Sequence, residues 1–322
     1  PIDDGLAQGS YVVAWRVISA DGHPVRGAFT FSVGKETELG SGLADQAFAT
    51  GADRPVEVFA AALRIVGYLG TLGACGVVLV AARLRRPDEP TPVARAVTVG
   101  IVVALVSLAL QAVALAALAT GEGLGSIARP GVLSLVMSDG YGPAAAVALV
   151  ALLAVLITTG LPFEGAARRI ALGGALVAPL TFAITGHTRT MDPLAVGYLA
   201  DVVHLLAGTV WFGGPPPPRP SRRRREGDAM GAAEAVASFS SIAAVASGAV
   251  IAAGVALSVI EVGSLGALTG TLYGRLLLAK VAAVAVVLAI AAWNRFRLLP
   301  AVARDALDDA DDVDSAAWRS LR

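Results

Sequence analysis

Cysteine is almost missing from this chain, with one residue in 322. A disulfide framework needs pairs and a thiolate zinc site needs several, so both are excluded. Histidine is nearly as scarce, at three. Charged residues make up 16%, against about 25% in a soluble domain. The signs cancel, with 25 Lys+Arg against 25 Asp+Glu, and a chain without basic excess has no electrostatic footprint for nucleic acid. There is no phosphate loop, no nucleotide-binding glycine motif and no Asp-Lys-Thr-like phosphorylation site, so no enzyme activity is expected. Any transport would run on a gradient or by conduction rather than on the chain's own ATP hydrolysis. Aromatics are only 6%.

What fills the space is aliphatic. Hydrophobic residues are 56% and mean hydropathy is +0.70. Ala, Val, Leu and Gly carry most of it, and small residues let membrane helices approach closely. A spanning helix needs about 20 predominantly apolar residues. Seven stretches qualify: 56–82, 96–119, 143–160, 170–186, 195–214, 236–260 and 272–292. Each is closed by a polar or Pro/Gly segment. The fold class expected is an all-α multi-pass membrane bundle.

Arginine assigns the sides, because short cytoplasmic loops collect Lys and Arg. Arg83, Arg85, Arg86 and Arg95 lie between spans one and two, and Arg168 and Arg169 between three and four. Arg219, Arg222, Arg223, Arg224 and Arg225 lie between five and six, and Arg295 and Arg297 follow span seven. The alternate loops hold only Arg129 and Arg189. The N-terminal segment is therefore expected outside the cell or in the periplasm, the C-terminal end in the cytoplasm, and the bundle in the cytoplasmic membrane.

Ahead of the first span, Tyr11, Val13, Trp15 and Val17 alternate, a turn follows at Asp21-Gly22, and Phe29, Phe31 and Val33 alternate again. This pattern predicts two strands. Two strands form no stable domain alone, so they read as the end of a larger β-sandwich. With Pro at position 1 and a polar end at 308–322, the sequence reads as part of a longer chain. Residues 35–55 read as a flexible linker and 301–322 as a polar cytoplasmic tail.

The segment YVVAWRVISADGHPVRGAFTFSVG closely resembles the last two strands of the CopC family of periplasmic copper-binding domains, over about 24 residues. Residues 1–34 would then be the C-terminal part of an Ig-type CopC-like β-sandwich. The apolar region 56–300 resembles the CopD family, and CopC–CopD fusions are a known arrangement. In CopC-like proteins the Asp-x-His of this motif supplies Cu(II) ligands, here Asp21 and His23. The family's other principal ligand is a histidine at the mature N-terminus, which this sequence lacks, so the outer site is incomplete. Imidazole and carboxylate suit tetragonal Cu(II), and copper tops the divalent affinity order. On spacing alone, Asp21 and His23 fit a solvated turn with a surface histidine better than a metal site, and the surrounding resemblance reverses that reading.

Ionisable residues inside spans are expensive and tend to serve function. Asp201 and His204 lie three apart in span five and share a helix face, with Trp211 seven further on. His187 sits at the outer end of span four, Arg64 about two turns into span one and Lys280 about two turns into span seven. His187, Asp201 and His204 outline a membrane copper path with imidazoles at two depths, Asp201 either orienting His204 or binding the ion. Met137, Met191 and Met230 are soft candidates for Cu(I), the first two on the outer side and Met191 four residues after His187. Blander readings stand beside these. Arg64 snorkels to the interface. Lys280 pairs with Glu261, Asp201 or a headgroup. Asp201 and His204 form a structural hydrogen bond. Cys75 is a small packing residue.

HLLAGTVWFGG resembles the CopD signature of His followed by Trp and Gly-Gly, and Tyr273, Gly274, Lys280 and Asn294 fall where that family has similar residues. CopD-like chains usually continue apolar after the Gly-Gly, whereas here 215–225 is PPPPRPSRRRR. That is either a polyproline cytoplasmic loop after a short span or a local irregularity of sequence. The resemblance implies copper as the metal handled, for transport, resistance or homeostasis. The expected partners are copper ions, the lipid bilayer and periplasmic or extracellular copper chaperones. The alternatives are a bis-histidine haem electron carrier, against which the unequal depths of His187 and His204 argue, and a copper sensor or scaffold that moves nothing.

Overall fold

The computed structural model describes residues 6–18, 24–37, 53–84, 94–121, 123–138, 140–185, 191–214 and 226–298. Strand β1 (Gly9–Ile18) pairs antiparallel with β2 (Pro24–Val33). Tyr11 faces Phe31, Val13 faces Phe29, Trp15 faces Gly27 and Val17 faces Val25, so the alternating apolar residues share one face. Tyr11 and Phe31 stack with ring centroids 5.4 Å apart. The Trp15 indole lies across Gly27 so closely that no Cβ fits there, which makes glycine the cross-strand partner of the large ring. Phe29 remains 55% exposed and Val17 51%, so this apolar face is open. A two-strand antiparallel sheet ahead of a helical bundle is what the alternation predicted.

The helices are α1 (Asp53–Leu84), α2 (Ala94–Thr120), α3 (Val132–Ser138), α4 (Tyr141–Thr158), α5 (Gly165–Thr185), α6 (Leu194–Phe212), α7 (Glu226–Val262), α8 (Leu265–Gly270) and α9 (Leu272–Trp293). Seven of them, all but α3 and α8, are long and apolar enough to cross a membrane, and they coincide with the seven predicted spans. The protein is a multi-pass membrane bundle. The boundaries shift where polarity and helix-forming tendency part company. The predicted start at 236 becomes Glu226, because the stretch EGDAMGAAEA is polar yet rich in good helix formers. The predicted start at 170 becomes Gly165 for the same reason, at Ala166, Ala167, Arg168 and Arg169. Between α2 and α4 the chain also forms a short 3-10 turn, Leu124–Ala128, and α3, a detail the periodicity did not reveal.

Packing runs through small residues. The largest core joins α1, α2, α4 and α5 through Ala74, Cys75, Ile101, Ala104, Leu152, Val155, Ala175 and Ala178. Cys75 is fully buried in it, a packing role. Gly70 of α1 backs onto the Gly100 carbonyl and Ala104 of α2, and Gly174 of α5 onto the Ala151 carbonyl of α4. Gly76 of α1 and Gly213, which closes α6, meet backbone to backbone. These approaches replace the hydrophobic drive that lipid removes.

The pairs of ends that touch show the alternation of the spans. Arg168, at the start of α5, donates from Nη2 to the Ala82 carbonyl near the end of α1 at 3.2 Å. Arg295, just after α9, donates from Nη1 to Ser240 Oγ near the start of the α7 span at 2.7 Å. Tyr273, at the start of α9, lies beside the Glu261 carboxylate at the end of α7. So α9 is pinned to α7 at both ends. Between the pins lies an apolar cleft of about 550 Å³, lined by α7, α8 and α9 residues including Gly254, Leu268, Lys280 and Val284.

Candidate functional site

α6 carries the chemistry. Its sequence, LAVGYLADVVHLLAGTVWF, is apolar enough to cross a membrane while holding two ionisable groups. Gly197, Asp201, His204, Gly208 and Trp211 follow spacings of four, three, four and three, so they form one stripe down the helix. His204 is about 15 Å from the Leu194 end, near the middle of the helix.

The His204 ring is fixed by α7. Its Nδ1 lies 3.3 Å from the Val250 carbonyl, which accepts only, so Nδ1 carries the proton. Gly254, one turn along α7, leaves room for the ring: a Cβ there would touch His204 Cε1 at 3.6 Å. The orienting partner of the imidazole is thus a backbone carbonyl, and Asp201 is not needed for it. Among the described residues Nε2 has no hydrogen-bond partner, and a proton on Nδ1 leaves its lone pair available.

Charged groups of both signs lie near this ring. Asp201 and Lys280 are both close enough to act electrostatically on His204. Asp201 and Arg64 both act on the Tyr68 hydroxyl of α1. The Tyr68 ring rests on Phe182 of α5 with centroids 4.1 Å apart. Arg64, Asp201 and His204 are half-buried, while Lys280 is exposed in the cleft between α7 and α9. Charges of both signs at mid-membrane depth limit the cost of burying either.

Met191 lies at the Leu194 end of the same stripe, against Gly197. Trp211 is half-buried near its Phe212 end. Asp21, His23 and His187 lie outside the described residues, as does the 215–225 segment. Among the described residues no three of His, Cys, Asp and Glu converge as a metal cluster; of the predicted path residues, the described ones are Asp201 and His204 on α6. Met137 sits on α3, 42% exposed. The sequence did not single out Tyr68, Val250 or Gly254. Tyr68 was detectable, since it follows Arg64 by four residues. A backbone carbonyl and a glycine carry no side-chain signal.

Comparisons with known proteins bear on what this bundle is. Residues 1–34 match the CopC domain and residues 233–322 match copper resistance protein D, CopD. The chain joins a CopC segment to a CopD segment. The CopC segment holds the hairpin. The CopD match begins inside α7, so it includes Val250, Gly254 and Lys280 and starts after Asp201 and His204. The chain is 29% identical over 290 residues to "Copper transport protein CutJ" of Bacillus subtilis (strain 168), covering 85% of this chain and 52% of that one. The CopC segment is 52% identical over 33 residues to "Protein YobA" of Escherichia coli (strain K12) and of Shigella flexneri, 10% of this chain and 27% of theirs. The chain thus spans about half the length of the first of these relatives and less of the others. No solved structure matches it.

Proposed function

We propose that this protein moves copper ions across the cytoplasmic membrane, as part of copper transport or resistance. The observation that carries this is the joining of CopC and CopD segments on one seven-span chain. The similarity to a protein named for copper transport supports it. The outer module faces the periplasm or exterior, where Asp21 and His23 contribute to capturing Cu(II). Copper then passes His187 and reaches Asp201 and His204. His204 binds through Nε2, and Asp201 offsets the ion's charge in a region where an uncompensated cation is costly. Arg64 and Lys280 balance Asp201 when the site is empty. Trp211 covers the stripe toward the inner end. Copper is cargo here, and no catalytic step is required.

The matches do not favour the haem carrier or the non-transporting sensor. The experiment that separates transport from passive binding is total cellular copper, measured in the host with the intact gene and with the gene deleted. A difference in either direction is expected at equal external copper, a rise on deletion meaning efflux and a fall meaning uptake. Identical copper contents over a range of external concentrations would contradict a transport role.

A further inference from the structure

We propose that Met191 is a copper ligand and that the ion it passes to α6 is Cu(I), an inference that rests on the copper-transport reading above. The Met191 thioether lies over Gly197. A Cβ on that glycine would meet Sδ at 3.1 Å and the Met191 Cβ at 3.2 Å. Gly197 is buried, and it precedes Asp201 by four residues and His204 by seven. Both separations return to the same side of a helix. The sulfur therefore heads the face on which Asp201 and His204 lie. At about 1.5 Å per residue, Asp201 is about 6 Å and His204 about 10 Å further in. Beyond them, a Cβ at Gly208 would meet no atom within 4 Å, so the face stays open past the imidazole.

The donor set in order of depth is a thioether, a carboxylate and one imidazole nitrogen. A thioether is soft and uncharged and selects Cu(I) over harder divalent ions. His204 offers a single nitrogen, because Nδ1 is committed to Val250. Tetragonal Cu(II) asks for more nitrogen and oxygen donors than this face supplies, whereas Cu(I) accepts few ligands and exchanges them between stations. Met191 is half-buried, held against the helix yet reachable from the outer side. Cu(II) captured by the outer module would then need reduction by an external one-electron donor before it reaches Met191. That reductant lies outside the proposal, which begins with Cu(I).

The test uses the full chain in phosphatidylethanolamine–phosphatidylglycerol vesicles, with Ag(I) as a redox-inert probe and Cu(I) held reduced by ascorbate. Met191→Leu keeps the volume over Gly197 and removes the sulfur. The expected result is a fall of about tenfold in Ag(I) and Cu(I) flux, on the scale at which metal sites respond to a lost partner. Met191→Cys, which keeps a soft sulfur, should retain most of the flux. X-ray absorption of the Cu(I)-loaded protein should show copper–sulfur scattering that Met191→Leu removes. Unchanged flux and scattering in Met191→Leu, alongside lost flux in His204→Ala, would overturn the Met191 assignment and leave the His204 reading standing. Equal loss in Met191→Leu and Met191→Cys would also overturn it, since packing rather than sulfur would then be at work. Wild-type flux in His204→Ala would overturn the transport reading, and this inference with it.

Discussion

Replacing His204 with alanine should erase the protein's effect on cellular copper while leaving its amount in the membrane unchanged. The two halves have different physical grounds. The ring contributes one hydrogen bond to Val250 and a contact to Gly254, so its loss should cost about 1–2 kcal/mol of stability. Function loses more, because Nε2 is the only imidazole nitrogen that the described part of the bundle offers. Asp201→Asn should act in the same direction but less completely, since it keeps size and removes charge beside Tyr68 and His204. Membrane levels by immunoblot and copper by mass spectrometry check both. Wild-type copper in His204→Ala cells with normal protein levels would remove His204 from the path.

The second large effect concerns the bundle itself. Gly76→Val should break the approach of α1 to α6, because any Cβ at position 76 collides with the Thr209 carbonyl and with Gly213. The obstacle is backbone, which cannot rotate out of the way, so the helices must separate. Overpacking of this kind costs about 1–3 kcal/mol, at times more. It would also displace the half of α6 that ends at Gly213, and with it the meeting of His204 with Val250. Gly73→Ala, three residues earlier on α1, is the control: a Cβ there meets nothing within 4 Å. Thermal stability of the detergent-solubilised protein should drop for Gly76→Val and hold for Gly73→Ala. Equal stability of the two variants would mean that α1 and α6 do not touch as described.

Much of this was legible in the residue order. Long aliphatic runs give seven spans because the bilayer demands internal backbone bonding, which only helices of that length supply. Arginine at alternate loops predicts which ends share a side. The contacts of Arg168 with Ala82 and of Arg295 with Ser240 join ends that must lie together in such an arrangement. The stripe on α6 follows from spacing alone. Helix partners were not legible, because Ala-, Val- and Leu-rich faces look alike in sequence. That Val250 rather than Asp201 holds His204 Nδ1 depends on how α7 lies against α6, and a main-chain acceptor leaves no mark on sequence. The pinning of α9 by Tyr273 and Arg295, with a cleft between, depends in the same way on three-dimensional meeting.

On the proposed reading the chain itself carries copper across a bilayer. It is tested most directly by copper flux in sealed vesicles reconstituted with the purified full chain, followed against protein-free vesicles under an imposed copper gradient. Flux should run well above the protein-free rate, saturate with copper and be lost in His204→Ala. Flux through the wild-type protein no faster than through protein-free vesicles, with the protein folded and inserted, would contradict it.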